Sequence, residues 1–299
     1  ADASVALSDG SGNFFGPTSF GAGTGPTAIA AANFDADGNP DLAVVNQGDN
    51  SVSILMSDGS GGFVPGTASP FTVGTSPVAI AKGNLNGDAF VQDLAVVNQG
   101  SNNVTLLLAG ALQFSVGATI PVGLQPSAAA IADVNGDGNA DLLVTNLGGD
   151  NVSVFLGDGL GAFSPRGPFP AGDGPESVAI EDFNGDGRPD LAVANGLSDN
   201  VPILYGDGFG DFAAPVNIGM AASSHPISVV QADFNGDARA DLAVATTGDG
   251  ITIFLNSGTP PPVANLSVTN VTATGADLSA DVVTDGGSPL TDQGFVFSP

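Results

Sequence analysis

A ten-residue segment that recurs about every 50 residues constrains this chain more than any other feature. It first occupies residues 33–42, recurs from Asp133, Asp182 and Asp233, and has a damaged copy that begins at Asn84. Successive copies start 51, 49, 49 and 51 residues apart, and a proline seven residues before each start keeps the same spacing. A period of this length indicates that one structural unit is repeated along the chain.

Each period contains four short segments with strand character. In the fourth copy, apolar runs at 177–180, 191–194 and 201–205 precede an Asp-Gly turn signal and a final segment at 212–218. Four antiparallel strands in a repeat of about 50 residues are typical of a β-propeller. Ala, Val, Leu and Ile at successive positions predict strands that neighbouring blades cover on both faces. We therefore expect an all-β chain, with a β-propeller of five or six four-stranded blades over residues 1–258.

The repeat pattern stops before the end of the chain. Three consecutive prolines predict a stiff linker, which we assign to 259–262. Residues 263–299 alternate Thr, Ser and Val around a Gly-Gly turn, but they are fewer than half of what a β-sandwich needs. We expect an incomplete β-sandwich there. Because both ends look unfinished, we also expect the chain to be one segment of a longer surface protein or assembly.

The charge of the chain excludes several classes of partner. The chain has 4 Lys and Arg residues and 31 Asp and Glu residues, so its net charge is −27, and Cys is absent. Such a polyanion is repelled by the phosphate backbone of nucleic acids. No stretch approaches the roughly 18 apolar residues of a membrane-spanning helix. We expect neither a nucleic acid partner nor a membrane span in this chain, and no thiolate metal site.

The recurring segment carries oxygen donors in the pattern of a calcium loop. Its positions 1, 3, 5 and 9 are Asp or Asn, position 6 is Gly in three of four intact copies, and position 7 offers a backbone carbonyl. Ca²⁺ takes 6–8 hard oxygen ligands and suits such a tight loop. An EF-hand is excluded, because it needs Glu at position 12, where these copies have Val. The residues expected at about four calcium sites are Asn33, Asp35, Asp37, Asn39, Asp41, Asp133, Asn135, Asp137, Asn139, Asp141, Asp182, Asn184, Asp186, Arg188, Asp190, Asp233, Asn235, Asp237, Arg239 and Asp241.

A simple Asp/Asn turn is the alternative interpretation of any one such loop. Four in-phase copies with Asp at position 9 favour calcium, because a turn has no evident use for a carboxylate three residues beyond its glycine. The second copy departs from the pattern, with Asn at position 1, Ala at position 6 and an insertion before its last Asp. We expect a weak or empty site there, formed by Asn84, Asn86, Asp88 and Asp93.

The calcium loop, the following Leu-Ala-Val strand and an Asp-Gly-x-Gly-x-Phe turn at 9–14, 158–163 and 207–212 together resemble a known family. This is the FG-GAP or VCBS-type repeat of integrin α-subunits and of secreted bacterial proteins. The tail from residue 265 looks like the opening of a fibronectin type III-like module. The resemblance implies an extracellular, cell-surface module for adhesion or scaffolding that calcium stabilises. Its partner would be a protein, a glycan or other copies of itself, the ligand-binding residues stay unknown, and no reaction is implied.

Catalysis and sugar binding are the alternatives to a scaffold. The chain has one His and one Lys, and His225 takes the slot before the repeat proline that unrelated residues fill elsewhere. We therefore expect no enzyme, and a polysaccharide-active enzyme is the least favoured function. A lectin-like propeller is the second binding hypothesis, although Trp is absent and Tyr205 is the only Tyr. Polar loops between second and third strands, such as 46–51 and 195–200, are expected to contact partners.

Overall fold

The computed structural model describes residues 2–88, 92–110, 114–248, 250–258, 264–272 and 275–282. All regular elements in these ranges are β-strands, which confirms the prediction of an all-β chain. None of the described residues forms a helix that is long and apolar enough to cross a membrane.

The strands of the described residues form six antiparallel sheets that follow one another along the chain. The first sheet contains β1 (Asp2–Val5) and β2 (Thr18–Gly21). The second contains β3 (Pro26–Ala32), β4 (Asp41–Asn46), β5 (Ser51–Ser57), β6 (Phe63–Pro65) and β7 (Phe71–Thr72). The third contains β8 (Pro77–Gly83), β9 (Asp93–Asn98), β10 (Asn103–Leu108) and β11 (Ser115–Pro121).

The remaining three sheets repeat this plan. The fourth contains β12 (Pro126–Ala132), β13 (Asp141–Asn146), β14 (Asn151–Gly157), β15 (Phe163–Pro165) and β16 (Phe169–Pro170). The fifth contains β17 (Pro175–Glu181), β18 (Asp190–Asn195), β19 (Asn200–Leu204) and β20 (Val216–Gly219). The last contains β21 (Pro226–Ala232), β22 (Asp241–Thr246), β23 (Gly250–Leu255), β24 (Ala264–Thr272) and β25 (Gly275–Val282).

Within each repeat, strand order in the sheet equals strand order in the chain. The repeat proline opens the first strand, and the Asp-Leu dipeptide opens the second. In the second and fourth sheets the fourth strand is interrupted, so that β6 and β7 both pair with β5, and β15 and β16 both pair with β14. Several four-stranded antiparallel sheets are thus present, as the sequence predicted, and their arrangement is that of propeller-like repeats.

The core lies between consecutive sheets. The first strands β3, β8, β12, β17 and β21 contact one another in that order. Successive side chains of a second strand enter different clusters: Leu94 and Val96 pack toward the preceding sheet, whereas Ala95 and Val97 pack toward the following one. This two-sided burial is the physical reason for the unbroken apolar runs in the sequence.

Two further strands, β24 and β25, follow the last repeat. The linker predicted at 259–262 lies outside the described residues, as do residues 283–299. The backbone of β24 pairs with β23, and β25 pairs with β24, so that both strands extend the last sheet. The edge of β23 thereby gains a hydrogen-bonding partner. An incomplete sandwich or fibronectin type III-like module from residue 263 is therefore not supported.

Candidate metal-binding loops

The five recurring loops join the first and second strands of the five larger sheets. They run from β3 to β4, β8 to β9, β12 to β13, β17 to β18 and β21 to β22. Position 9 of each intact loop is the first residue of the second strand, and Asp93, the tenth residue of the second loop because of its insertion, takes the same place and is counted as position 9. The strands therefore hold both ends of every loop at the same end of its sheet.

In the fourth loop, side-chain oxygens accept hydrogen bonds from the loop's own backbone. Asp182 accepts the N–H groups of positions 4 and 6, both at 2.7 Å. Asn184 accepts the N–H of position 5 at 2.8 Å, and Asp186 accepts that of position 7 at 2.9 Å. These bonds gather the oxygens of positions 1, 3 and 5 within one compact loop.

The third and fifth loops repeat this arrangement, and the first loop varies it. Asp133 and Asp233 each accept the N–H groups of positions 4 and 6 at 2.7 and 2.8 Å. In the first loop, Asp35 and Asp37 accept the N–H groups of positions 5 and 7 at 3.1 and 2.7 Å. Position 1 is Asn33, whose Oδ1 is buried and has no hydrogen-bond partner among the described residues.

Two positions of each intact loop adopt the left-handed backbone region. At position 6, φ is 94° in Gly38, 83° in Gly187 and 66° in Ala238. Position 4 is also left-handed, with φ of 64° in Ala36 and 77° in Gly185. Glycine at position 6 was predicted from the sequence, whereas position 4 was missed, although three of the four intact loops have glycine there as well.

Position 7 side chains point toward the turn after the third strand. Asn39 and Arg188 both lie against glycines of that turn. Arg239 donates to the Asp237 carboxylate at 2.7 Å and to the Asn256 carbonyl at 2.9 Å. At this position the backbone carbonyl, and not the side chain, remains the candidate ligand.

Position 9 has a role that the sequence analysis did not foresee. Its aspartate is fully buried in all five loops. One carboxylate oxygen accepts the N–H of loop position 2, and the other accepts an N–H just beyond or at the end of the third strand, at 2.7–3.0 Å. The two N–H donors are those of Phe34 and Ser57 for Asp41, Leu85 and Ala109 for Asp93, Val134 and Gly157 for Asp141, Phe183 and Gly206 for Asp190, and Phe234 and Asn256 for Asp241. The argument that a turn has no use for this carboxylate was therefore wrong.

Burial and hydrogen bonding move the carboxyl pKa values in opposite directions. Burial raises the pKa of Asp190 to about 6, although its two N–H donors favour the carboxylate, and the charges of Asp186 and Asp182 act in the same direction as burial. At the exposed positions the N–H of residue 39 lowers the pKa of Asp37, and that of residue 238 lowers the pKa of Asp233. Burial likewise raises the pKa of Asp41, Asp93 and Asp141, so that each of the first four loops contains one carboxylate that is costly to keep ionised.

The second loop keeps the buried aspartate but has an amide in place of the carboxylate at position 1. Asn84 Oδ1 accepts the N–H of Gly87 at 2.7 Å, and its Nδ2 donates to the Asp88 carbonyl at 3.0 Å. An amide donor thus stands where the third, fourth and fifth loops have a second carboxylate oxygen. Asp93 nevertheless accepts both backbone N–H groups at 2.8 Å. Residues 89–91, which include position 6, lie outside the described residues.

Within the described ranges, no group of three or more His, Cys, Asp or Glu side chains is arranged to hold a metal ion. Each intact loop instead offers carboxylate and amide oxygens at positions 1, 3 and 5, with the position 9 carboxylate turned inward. Calcium at these loops therefore stays a prediction.

At the opposite end of the sheets, many polar side chains of the expected partner loops serve the fold. Asn50 Oδ1 accepts the N–H of Ser76 at 2.8 Å, which joins one sheet to the start of the next. Asn102, Asp150 and Asp199 make equivalent bonds. The last residue of the second strand is a fully buried Asn in four sheets: Asn46, Asn98, Asn146 and Asn195. These asparagines are inaccessible to a partner.

The side chains considered for catalysis are engaged separately. His225 Nδ1 lies 2.9 Å from the Ser223 carbonyl. Lys82 donates to the Ala31 carbonyl at 2.7 Å, and burial raises the pKa of Tyr205. The structure does not bring these three candidates together.

A cleft of about 630 Å³ separates the fourth and fifth loops. Its walls include Gln231, Arg239 and Asn256 as well as the first residues of both loops. Its size falls in the range of small-ligand sites. The two loops thus enclose a polar recess between consecutive sheets.

Two solved structures share the fold at low sequence identity. One is a crystal structure of a functionally unknown protein from Desulfotomaculum acetoxidans DSM 771, with 15% identity and a TM-score of 0.59 over 84% of this chain and 71% of that chain. The other is a crystal structure of BBS1N in complex with ARL6DN, soaked with lead, with 14% identity and a TM-score of 0.53 over 85% of this chain and 81% of that chain. No curated protein matches this chain.

The family comparison agrees with the repeat geometry. The family model described as FG-GAP-like repeat matches residues 33–91, 91–144, 133–193 and 182–244. These matches cover more than half of the chain and begin at or beside the recurring loops. The chain therefore belongs to the FG-GAP-like repeat family.

Proposed function

We propose that this chain is a calcium-stabilised β-propeller that acts outside the cell as an adhesion or scaffold module for protein partners. The observation that carries the proposal is the loop geometry shared by four in-phase repeats. In three of them, oxygens of positions 1, 3 and 5 accept the loop's own N–H groups at one end of a sheet, and in the first loop those of positions 3 and 5 do so; each of the four also has a buried carboxylate at position 9. Family membership adds support, because FG-GAP repeats suggest a protein-interaction module.

The donor set of these loops fits calcium. All side-chain donors at positions 1, 3, 5 and 9 carry hard oxygens, and the buried Oδ1 of Asn33 lacks a partner among the described residues. The raised pKa of Asp190 also reflects neighbouring negative charge that a cation would offset. The residues that would hold the ion are those of positions 1, 3 and 5 in the four intact loops, together with the carbonyl of position 7, while the position 9 carboxylate adds negative charge from beneath and stays bonded to its two backbone N–H groups. The ion would supply positive charge and crosslink each loop.

The ring and its location are parts of the same proposal. Five sheets that pack through their first strands, with a two-stranded sheet before them, support a propeller of five or six blades. FG-GAP repeats are typical of extracellular proteins. Extracellular modules bind calcium with a Kd of about 10⁻⁴–10⁻³ M, so that calcium there acts as a folding component and not as a signal.

Calcium titration of the chelator-treated chain tests this proposal. We expect about four bound ions by isothermal titration calorimetry and a higher melting temperature in calcium than in chelator. Asp186→Asn should remove one ion, whereas the matched variant Asp88→Asn in the second loop should leave the stoichiometry unchanged. A chain that binds no calcium, or that melts at the same temperature in chelator and in calcium, would refute the calcium part.

Sugar binding is the second candidate, and the cleft between the fourth and fifth loops favours it. Gln231, Arg239 and Asn256 provide amide and guanidinium groups suited to hydroxyl recognition. A glycan array probed with the wild type and with Gln231→Ala tests this candidate. Binding that the substitution abolishes supports it, and an array without binding excludes it for the glycans displayed.

A further inference from the structure

Two exposed apolar side chains occupy the tips of neighbouring hairpins. Leu160 and Phe209 stand at the third position of the Asp-Gly-x-Gly turns that follow β14 and β19. They are 82% and 71% exposed.

In the first two turns, the same position is a serine that bonds to the aspartate of its own turn. Ser11 donates its hydroxyl to Asp9 at 2.8 Å, and Ser60 donates to Asp58 at 2.8 Å. Leu160 and Phe209 lack this bond, and their exposure shows that they gain little burial in return. Intramolecular packing therefore does not explain the two apolar residues.

Both tips are held rigidly. Asp158 accepts the N–H groups of residues 160 and 162 at 2.8 and 3.0 Å. Asp207 accepts those of residues 209 and 211 at 2.7 and 3.1 Å. A side chain on a pre-ordered turn loses little further conformational freedom when a partner covers it.

The two hairpins touch each other. Arg166, just after β15, forms an ion pair of 2.6 Å with Asp211 of the next turn. Gly210 lies against Leu156, so closely that a Cβ atom there would come within 2.7 Å of the leucine side chain. Leu160 and Phe209 therefore lie on adjoining turns at the end of the sheets that carries the recurring loops.

We propose that Leu160 and Phe209 form a docking surface for a protein whose apolar recess is surrounded by Lys and Arg. The charge argues for a basic partner, because the chain carries −27 and Asp158 and Asp207 lie two residues before the two tips. Exposed leucine and phenylalanine side chains on adjoining turns fit a protein recess better than the face of a sugar. This proposal rests on the proposed interaction function and names the surface and the partner chemistry for it.

A random peptide library displayed on phage, selected against the calcium-loaded chain at physiological salt, tests this surface. The matched variants are L160S/F209S, which installs the serine found in the first two turns, and L124S/L197S, which removes two exposed leucines at the opposite end. Melting temperatures should agree among the three proteins. We expect selected peptides to combine basic and apolar residues and, as synthetic peptides, to bind L160S/F209S at least about tenfold more weakly, with L124S/L197S unchanged.

Other outcomes overturn the proposal in different ways. Peptides that bind L160S/F209S as tightly as the wild type would overturn this surface and leave the interaction function intact. A library without binders for the wild type would overturn both. Glycan-array binding that is lost in L160S/F209S would assign the tips to sugar and overturn the choice of a protein partner.

Discussion

The second and fourth recurring loops differ in the side chains expected to hold calcium, yet both contain the same buried aspartate with the same two backbone donors. Asp93 and Asp190 accept equivalent N–H groups at 2.8–3.0 Å. Position 1 differs, because Asp182 offers two carboxylate oxygens and Asn84 offers one amide oxygen and one donor. The comparison separates two functions of one motif: position 9 supports the sheet, and positions 1, 3 and 5 carry the oxygens that we expect to bind the ligand.

The largest expected effect comes from removing the exposed carboxylate at position 5 of all four intact loops. With a Kd near 10⁻⁴ M, about 1 mM calcium stabilises each loop by about 1.4 kcal/mol, or about 6 kcal/mol in total. The variant with Asp37, Asp137, Asp186 and Asp237 replaced by Asn should lose this increment. Urea unfolding with calcium and with chelator measures it. Asp88→Asn, the matched change in the second loop, should keep the full increment, and a calcium response in the fourfold variant would contradict the prediction.

Replacement of the buried aspartate should weaken both loops alike, even in chelator. Asp93→Ala and Asp190→Ala each leave two backbone N–H groups without an acceptor, which costs about 1–3 kcal/mol per group before the relief of burying a charge. We expect a net loss of about 2–4 kcal/mol in the free energy of unfolding. Asp186→Ala, at an exposed position, is the control with a smaller loss. If Asp93→Ala were neutral, position 9 would serve the ligand alone.

The pH dependence of the free energy of unfolding of the calcium-free chain should reveal the cost of ionising Asp190. Its folded pKa of about 6 lies above the ordinary value of 3.8, so its contribution to stability is present at low pH and is lost as the pH rises through 6. Lowering the pH from about 7 to about 5 should add about 1 kcal/mol at this residue. The difference between the wild type and Asp190→Asn, which does not titrate, isolates this increment. A difference of the opposite sign would contradict the assignment, and Asp93, whose pKa burial also raises, should behave in the same direction.

The smallest expected effect concerns position 6, where the fifth loop departs from the fourth. Ala238 has φ of 66° and Gly187 has φ of 83°. Ala238→Gly relieves a left-handed alanine but makes the unfolded chain more flexible, for a net gain of about 0.5 kcal/mol. Gly187→Ala should lose a similar amount. Thermal unfolding of the pair in chelator measures both, and a stabilised Gly187→Ala chain would show that the loop relaxes out of this conformation.

Much of the fold follows from local pattern. The proline, the Asp-Leu dipeptide and the Asp-Gly turn recur in phase, and each marks a strand end or turn that backbone chemistry favours there. The order of four strands per repeat was therefore predictable. The place of β24 was not predictable. Its alternation of Thr, Ser and Val suits any strand, and its pairing with β23 depends on the unpaired edge that β23 offers.

The candidate site was predictable only in part. The positions of the oxygen-bearing residues are visible in the sequence, as is the damage to the second copy. The burial of Asp41 and its equivalents was not predictable, because the N–H donor after the third strand lies 15 or 16 residues away in the sequence. An unbroken Asp at position 9, even in the damaged copy, was the one signal that could have indicated a structural role.

The sequence by itself determined the repeat unit, the all-β class, the strong negative charge and the oxygen-bearing loops, because each is a property of residue type and local spacing. Only the tertiary structure decided which of several chemically identical aspartates is buried, which strand completes the last sheet and which apolar side chains remain in solvent. Asp186 and Asp190 are the same residue type in the same loop, yet Asp186 is exposed and Asp190 is fully buried. Burial is set by neighbouring sheets that are distant in sequence, and no local pattern specifies what those sheets cover.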